Sequence, residues 1–599
     1  MSPNYITKIF RKWALSLNEG EFKKTVTIFI LLLLLIIALL IRIIYLGNTF
    51  QTSDNAELAV KIISKPGFSW MLWENYGLII NLIVKSFVIF ASYLGITITE
   101  FWWKFPIAFI GSLQALLTYF FLRWVGTTNL GSLIGAAILT ILPIHVMQSR
   151  YLWGYEVLGI FFVTIALWAL LYFFSKPNIL TGLLVSFFIG LYLLSHGYFL
   201  PFAACLFFAI LLFAKYDTSK IRCKPYILII AVLFIASSFV VNRHLLGRIF
   251  APDGSFSPHG DVAQIILIFQ MILFFLGMYL LPSNNLLSHF PQKIEAIILR
   301  TDLLIFNFVW LFPVLFIPLY FSPIKHAFNK QTRFGFYLFD HLHGFVNNIG
   351  IFLLFLILSS TIIFLFNKNF RNKLNLFFLL CGIAYLVPIF VGTPPGITVV
   401  RGYLLMGIYF LILFSVLIVE KLINIQPVIV IPLMITLILV TMWGTIDTIF
   451  MREKYFDPTF ILNERGSIPP DAGSKTAGYL IRKYLDPSEE VLAIHRNIEP
   501  PNLYYYFGRE KYSHYDLALE DTYPIYSDMK DNVNVVILEE SQISFIESNS
   551  DFQRRIVVYS ENYPRMYIYA KSAVELPILN ADVEEYNVLF DDEFSWEIR

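Results

Sequence analysis

Two carboxylates three residues apart, Asp54 and Glu57 in Thr52-Ser53-Asp54-Asn55-Ala56-Glu57, follow closely on the first apolar run of the chain. On a helix they share one face, and carboxylates so placed can accept a proton or hold a divalent cation. The same spacing is also a helix-start pattern, with Asp54 capping backbone amides and Glu57 reaching back. A second set begins at Pro143 and continues through His145, Ser149 and Arg150 to Trp153, Tyr155 and Glu156. Here Arg150 can hold an anion, while a local ion pair between Arg150 and Glu156 within an aromatic belt is the structural alternative. His196, in the tight turn Ser195-His196-Gly197, suits a structural donor or a reactive imidazole. Arg401 and Tyr403 follow a Pro394-Pro395-Gly396 turn, where Arg401 either snorkels or faces a ligand. Arg243, His244 and Arg248 form a last basic cluster whose plainest reading is a solvated loop. Gly-rich phosphate loops, CxxC pairs, an HExxH helix and a nucleophile elbow are all absent, so soluble nucleotide, structural zinc and serine-hydrolase chemistry have no sequence support.

The elements that must position these residues are set by composition. With 57% hydrophobic and only 14% charged residues, a chain of this length cannot present a soluble surface, so its solvent is lipid. Apolar runs long enough to cross about 30 Å of hydrocarbon start near residues 25, 104, 129, 154, 178, 198, 226, 262, 301, 351, 374, 403 and 428, giving roughly thirteen spans. The first, at 28–40, lacks a following small-residue cleavage site and reads as a retained anchor. The run at 76–93 is apolar but carries Asn81 and Lys85, and it decides the sidedness of everything after it. Laid along the outer surface, it leaves Arg123, Lys176, Lys215, Lys220, Arg222, Lys224, Lys368, Arg371, Lys373 and Lys421 on the inner side with the basic N-terminus. Arg243, Arg248, Lys325, Lys330 and Arg333 then fall outside, against the rule.

This reading divides the chain into a cytoplasmic N-terminus (1–24), a membrane domain (25–447) with an outer loop at 47–103, and an extracytoplasmic domain (448–599). From Arg452 onward acidic residues outnumber basic ones by about 12, and none of the three cysteines (Cys205, Cys223, Cys381) falls there, so that domain has no disulfide of its own. Its period changes to an amphipathic helix at 474–484, strands at 491–494, 533–538, 555–559 and 567–571, and a helical turn at 502–507. The expected fold class is a polytopic α-helical membrane protein of about thirteen spans with a C-terminal α/β domain.

In their order these pieces resemble the GT-C superfamily of membrane glycosyltransferases, including protein O-mannosyltransferases and lipid A aminoarabinose transferases. The acidic stretch Ser53-Asp54-Asn55-Ala56-Glu57 after the first span, Lys65-Pro66-Gly67 followed by the run at 76–93, and Pro143 with Ser149, Arg150 and Glu156 carry the resemblance. The chain departs from it in having Asp54-Asn55 where an adjacent Asp-Glu pair is usual, and in lacking the usual His-Pro-Pro. The WWD signature of oligosaccharyltransferases is missing from the C-terminal domain, which favours transfer of one sugar over transfer of a whole glycan to asparagine.

The resemblance implies a sugar donor carried by polyprenyl phosphate and a lipid, glycan or protein acceptor at the outer face of a cell membrane, with no nucleic-acid partner. It implies Asp54 as base, Glu57 or Glu156 orienting the acceptor or holding a divalent ion, and Arg150, Arg243 or Arg401 facing the donor phosphate, with His196 and Tyr403 beside the substrates. One base opposite the leaving phosphate implies inversion at the anomeric carbon. The carboxylates are compatible with a divalent metal, and no other cofactor is implied. The rival readings are a lipid-linked sugar flippase and a non-enzymatic membrane scaffold.

Overall fold

The computed structural model describes residues 21–44, 78–96, 98–152, 154–175, 179–195, 350–392, 404–447, 473–486, 488–494, 512–514, 533–538, 551–560 and 563–582, with a few single positions between them. The membrane part contains α1 (Glu21–Ile43), α2 (Leu78–Tyr93), α3 (Glu100–Trp124), α4 (Asn129–Ile141) and the short α5 (Pro143–Gln148). It continues with α6 (Tyr155–Ser175), α7 (Ile179–Leu194), α8 (Ile351–Phe366), α9 (Lys373–Gly392), α10 (Leu404–Ile425) and α11 (Pro427–Asp447). Among the described residues five helices are long and apolar enough to cross a membrane: α1, α3, α6, α10 and α11. Those at 79–93, 129–141, 351–366 and 373–386 are apolar but shorter. The runs expected from 226, 262 and 301 lie outside the described residues, as does nearly all of that from 198.

Side-chain contacts fix which helix ends lie together. Asn129 at the start of α4 donates to Thr27 Oγ1 of α1 (2.6 Å) and accepts from Tyr119 OH of α3 (2.7 Å). At the opposite end, Arg42 of α1 reaches Ser149 and His145, and Gly111 of α3 packs beneath them. The helices α1 and α3 are therefore antiparallel, and the chain leaves α1 and enters α3 at the same end. An odd number of crossings between them is excluded, which agrees with a run at 76–93 that does not span on its own. That run is α2, which exposes Leu82, Ile89, Phe90 and Tyr93 and buries Asn81 and Lys85.

Cations gather at the other end of the bundle. Arg123 donates to the Thr127 carbonyl, Glu420 accepts from the Thr128 amide, and Lys421 donates to the Asn369 carbonyl at 3.1 Å. Arg371 caps the last turn of α8 through the Phe364 and Leu365 carbonyls. The set Arg123, Lys368, Arg371, Lys373 and Lys421 thus shares one end, as the charge argument expects. Thr445 Oγ1 donates to the Ile141 carbonyl at 2.6 Å, which puts the end of α11, and the exit toward the C-terminal region, at the Arg42 end.

The C-terminal region is α/β. Helix α12 (Ser474–Tyr484) precedes β1 (Val491–Ile494), β2 (Tyr512–His514), β3 (Val535–Leu538), β4 (Phe552–Ser560), β5 (Tyr563–Lys571) and β6 (Leu579–Asp582), in sheet order β2-β1-β3-β5-β4-β6. The strands β1, β2 and β3 run parallel, β5 is antiparallel to β3 and β4, and β6 is parallel to β4. Every residue of β1 and β3 is buried, as expected of central strands covered on both faces. Alternation splits them cleanly: Val491, Ala493, Val535 and Ile537 join the main apolar cluster, while Leu492, Ile494, Val536 and Leu538 build a second one. The strands β4 and β5 are longer than the expected 555–559 and 567–571, and β2 and β6 are additional. Of the expected turn at 502–507, Phe507 alone is described.

Candidate functional site

The end of the bundle that faces the C-terminal region carries a dense set of buried polar groups, assembled by helix ends that need capping. Pro143 interrupts the backbone ladder between α4 and α5, leaving carbonyls of the last turn of α4 without helical donors. Arg42 supplies one donor: its Nη1 reaches the Thr140 carbonyl at 3.1 Å and the Ala38 carbonyl at 2.8 Å. Its Nε donates to Ser149 Oγ at 3.2 Å and its Nη2 lies 2.7 Å from His145 Nδ1. An arginine only donates, so Nδ1 is the acceptor and the His145 proton sits on Nε2. That nitrogen is buried and has no hydrogen-bond partner among the described residues.

Arg150 performs the reciprocal service for α1. Its Nη1 donates to the carbonyls of Ile41 (3.2 Å), Arg42 (3.2 Å) and Ile44 (2.7 Å), placing a cation on the negative end of that helix. The two arginines interlock: Arg42 closes α4, and Arg150 closes the helix that carries Arg42. The packing is close enough that a Cβ on Gly111 would stand 2.3 Å from Ser149 Oγ and 3.3 Å from Arg42 Nε.

A second charged group adjoins the first. Glu100 opens α3, and its Oε1 lies 3.5 Å from Lys104 Nζ one turn on. Its Oε2 contacts Lys475 Nζ at the start of α12, 375 residues away. Lys104 lies about two turns before Gly111 on α3, the residue that packs beneath Ser149 and Arg42, so both groups sit at one end of the bundle. Glu100, Lys104, Lys475, Arg42, Arg150 and Glu156 are all buried.

Of the residues expected from sequence to form a site, Arg150 and Glu156 are described. Arg150 is in the interlock, and Glu156 is buried in the first turn of α6, six residues beyond it. Asp54, Glu57, His196, Arg243, Arg401 and Tyr403 lie outside the described residues. Arg42, Glu100, Lys104 and Lys475 were not anticipated. The available signals were an arginine closing an apolar run and a Glu-Lys pair at i, i+4 where a span begins. Among the described residues no group of three His, Cys, Asp or Glu side chains is placed to hold a metal ion.

No protein-family model and no curated protein matches the sequence. Solved structures do match. The oligosaccharyltransferase AglB from Archaeoglobus fulgidus, in complex with an inhibitory peptide and a dolichol-phosphate, aligns over 88% of this chain and 70% of its own with a TM-score of 0.54 at 14% identity. The Archaeoglobus fulgidus oligosaccharyltransferase tethered to an acceptor peptide containing the NVT sequon aligns over 88% and 70%, with a TM-score of 0.53 and 14% identity. Its complex with Zn and sulfate aligns over 86% and 68%, with a TM-score of 0.53 and 13% identity. The likeness establishes the fold. This chain shares the architecture of those structures, apolar helices followed by a C-terminal region, at an identity too low to carry a reaction with it.

Proposed function

We propose that the protein is a membrane glycosyltransferase that moves one sugar from a polyprenyl-phosphate-linked donor to a lipid, glycan or protein acceptor at the outer face of the membrane. The observation that carries this reading is the buried group of Arg42, His145, Arg150 and Lys104, which lies at the bundle end facing the C-terminal region and away from the inner-side cations. By the positive-inside tendency, that end is the outer one. A donor reaching it cannot be a cytoplasmic nucleotide sugar, so a lipid-borne phosphate is the fitting carrier. Two of the similar structures hold dolichol-phosphate and an acceptor peptide, respectively, in line with a lipid donor and an acceptor that meet on one fold.

In this mechanism Asp54 takes the proton of the acceptor hydroxyl as the anomeric carbon is attacked. Electropositive groups at the outer end stabilise the phosphate that leaves from the opposite face, and a single displacement inverts the anomeric centre. Arg401 and Arg243 are the proposed direct contacts of that phosphate, because Arg150 Nη1 is engaged on three carbonyls of α1. Arg42 and Arg150 hold the scaffold and supply charge. Asp54, Glu57 and Glu156 offer hard oxygen donors, the right chemistry for a divalent cation, which would screen the donor phosphate.

The test is a transfer assay with purified protein in vesicles, supplied with polyprenyl-phosphate sugars and an acceptor extract from the source cells. Release of polyprenyl phosphate together with a one-sugar mass increment on an acceptor supports the proposal. Movement of intact donor between leaflets, with no bond cleaved, replaces it with the flippase reading.

A further inference from the structure

The contact between Glu100 and Lys475 joins the first residue of a membrane-embedded helix to the first turn of α12 in the C-terminal domain. We propose that Lys104, Glu100 and Lys475 form a charge-specific latch that keeps the C-terminal domain seated on the membrane domain. The domain is then a fixed wall of the outer end and not a module swinging on a tether. The latch holds the two parts together and takes no part in the transfer reaction.

Three observations support it. Two ammonium groups converge on one carboxylate, with side-chain exposures of 0% for Lys104, 4% for Glu100 and 6% for Lys475. Ions so far out of water are tolerated only while their partners stay in place, since losing one strands the others in an apolar setting. Undocking would take from Glu100 its partner in α12 and leave it Lys104 of its own helix. The seat is also apolar around the charges: Trp103 and Ile107 of α3 belong to the same continuous cluster as Ala477, Leu480 and Ile481 of α12 and one face of the sheet. Apolar contact favours closure without direction, and the charged node supplies the register. Finally, Lys475 and Lys483 lie on the same short helix yet differ sharply, the first buried and the second exposed, so the buried end of α12 is the end that meets α3.

The two lysines provide the test. The protein in native membranes is treated with an amine-acylating reagent, and modification of Lys475 relative to Lys483 is read by peptide mass spectrometry. Lys475 is expected to react at least about tenfold more slowly than Lys483, and Glu100→Gln to remove most of that protection while Lys571 in β5 is unchanged. Equal reactivity of the two lysines in the unsubstituted protein overturns the docked geometry. Continued protection of Lys475 in Glu100→Gln overturns the role of charge and leaves the apolar seat as the sole fastening. Should Glu100→Gln fail to accumulate, Lys475→Gln gives a second reading that leaves the Glu100–Lys104 pair of α3 in place. Acylation of Lys104 is expected to rise several-fold in Lys475→Gln while that of Lys571 is unchanged. Unchanged protection of Lys104 overturns the proposal.

Discussion

Replacing Arg42 by methionine removes the donor that closes the break between α4 and α5 while nearly preserving side-chain volume. Four contacts are lost, of unequal weight. The Ala38 carbonyl lies one turn back along α1 and keeps its place in the helical ladder, and Ser149 Oγ retains its own bond to the His145 carbonyl. His145 Nδ1 and the Thr140 carbonyl are left as buried acceptors without donors. At about 1–3 kcal/mol for each unsatisfied buried group, less what is recovered by no longer burying a guanidinium, a net loss of about 2 kcal/mol follows. Arg42→Lys keeps the charge but cannot span four acceptors from one ammonium, and should lose about half as much. Reversible unfolding of the purified protein in mixed micelles under increasing denaturing detergent, followed by tryptophan fluorescence, measures both. An Arg42→Met protein as stable as the parent would refute the interlock as a stabilising element.

Gly111→Ala introduces a methyl group 2.3 Å from Ser149 Oγ and 2.8 Å from its Cβ. It should cost about 1–3 kcal/mol in the same assay, whereas Gly444→Ala, with open space around the added carbon, should be near neutral. Gly382 of α9 and Gly407 of α10 face each other, each with the other's carbonyl 3.2–3.3 Å from a built Cβ. Gly407→Val should therefore push these helices apart and lower the yield of folded protein on size exclusion. Tyr409→Phe removes hydroxyl contacts to Thr164 (3.0 Å) and Thr118 (3.3 Å) between α10, α6 and α3, a loss of about 0.6–1.7 kcal/mol by denaturing-detergent titration. Val536→Asp buries a charge in the middle of β3 and should leave the C-terminal domain open to protease while the membrane domain still inserts.

Much of the architecture was legible because its signals are strong and local. Runs of the length and apolarity of 28–40 or 404–419 have one physical reading, and the cations expected on the inner side sort the helix ends into two sets that the contacts of Arg123, Lys421 and Asn129 reproduce. The central strands β1 and β3 were legible because burial on both faces makes them uniformly apolar. The strand β6, Leu579-Asn580-Ala581-Asp582, has an edge position and a half-polar sequence that resembles a turn, and β2 is three residues long. Within the site, Pro143, Ser149 and Arg150 were recognisable as a set, but the first-span arginine that ties them together was not. Arg42 lies 103 positions from His145 and 107 from Ser149, and an arginine at the end of an apolar run looks the same in sequence whether it snorkels to water or caps another helix. Glu100 and Lys475 are 375 residues apart and join only through the fold.

The central claim is transfer of one sugar from a lipid carrier, and its most direct measurement compares glycolipids and glycans by mass spectrometry. The samples are cells carrying the wild-type chain, a deletion, and Asp54→Asn at matched protein level. Loss of the same one-sugar mass increment in the deletion and in Asp54→Asn, with accumulation of the lipid-linked donor, is the expected result. An unchanged glycan profile in the deletion would contradict the assignment, and a profile restored by Asp54→Asn would keep the enzyme class while removing Asp54 as its base.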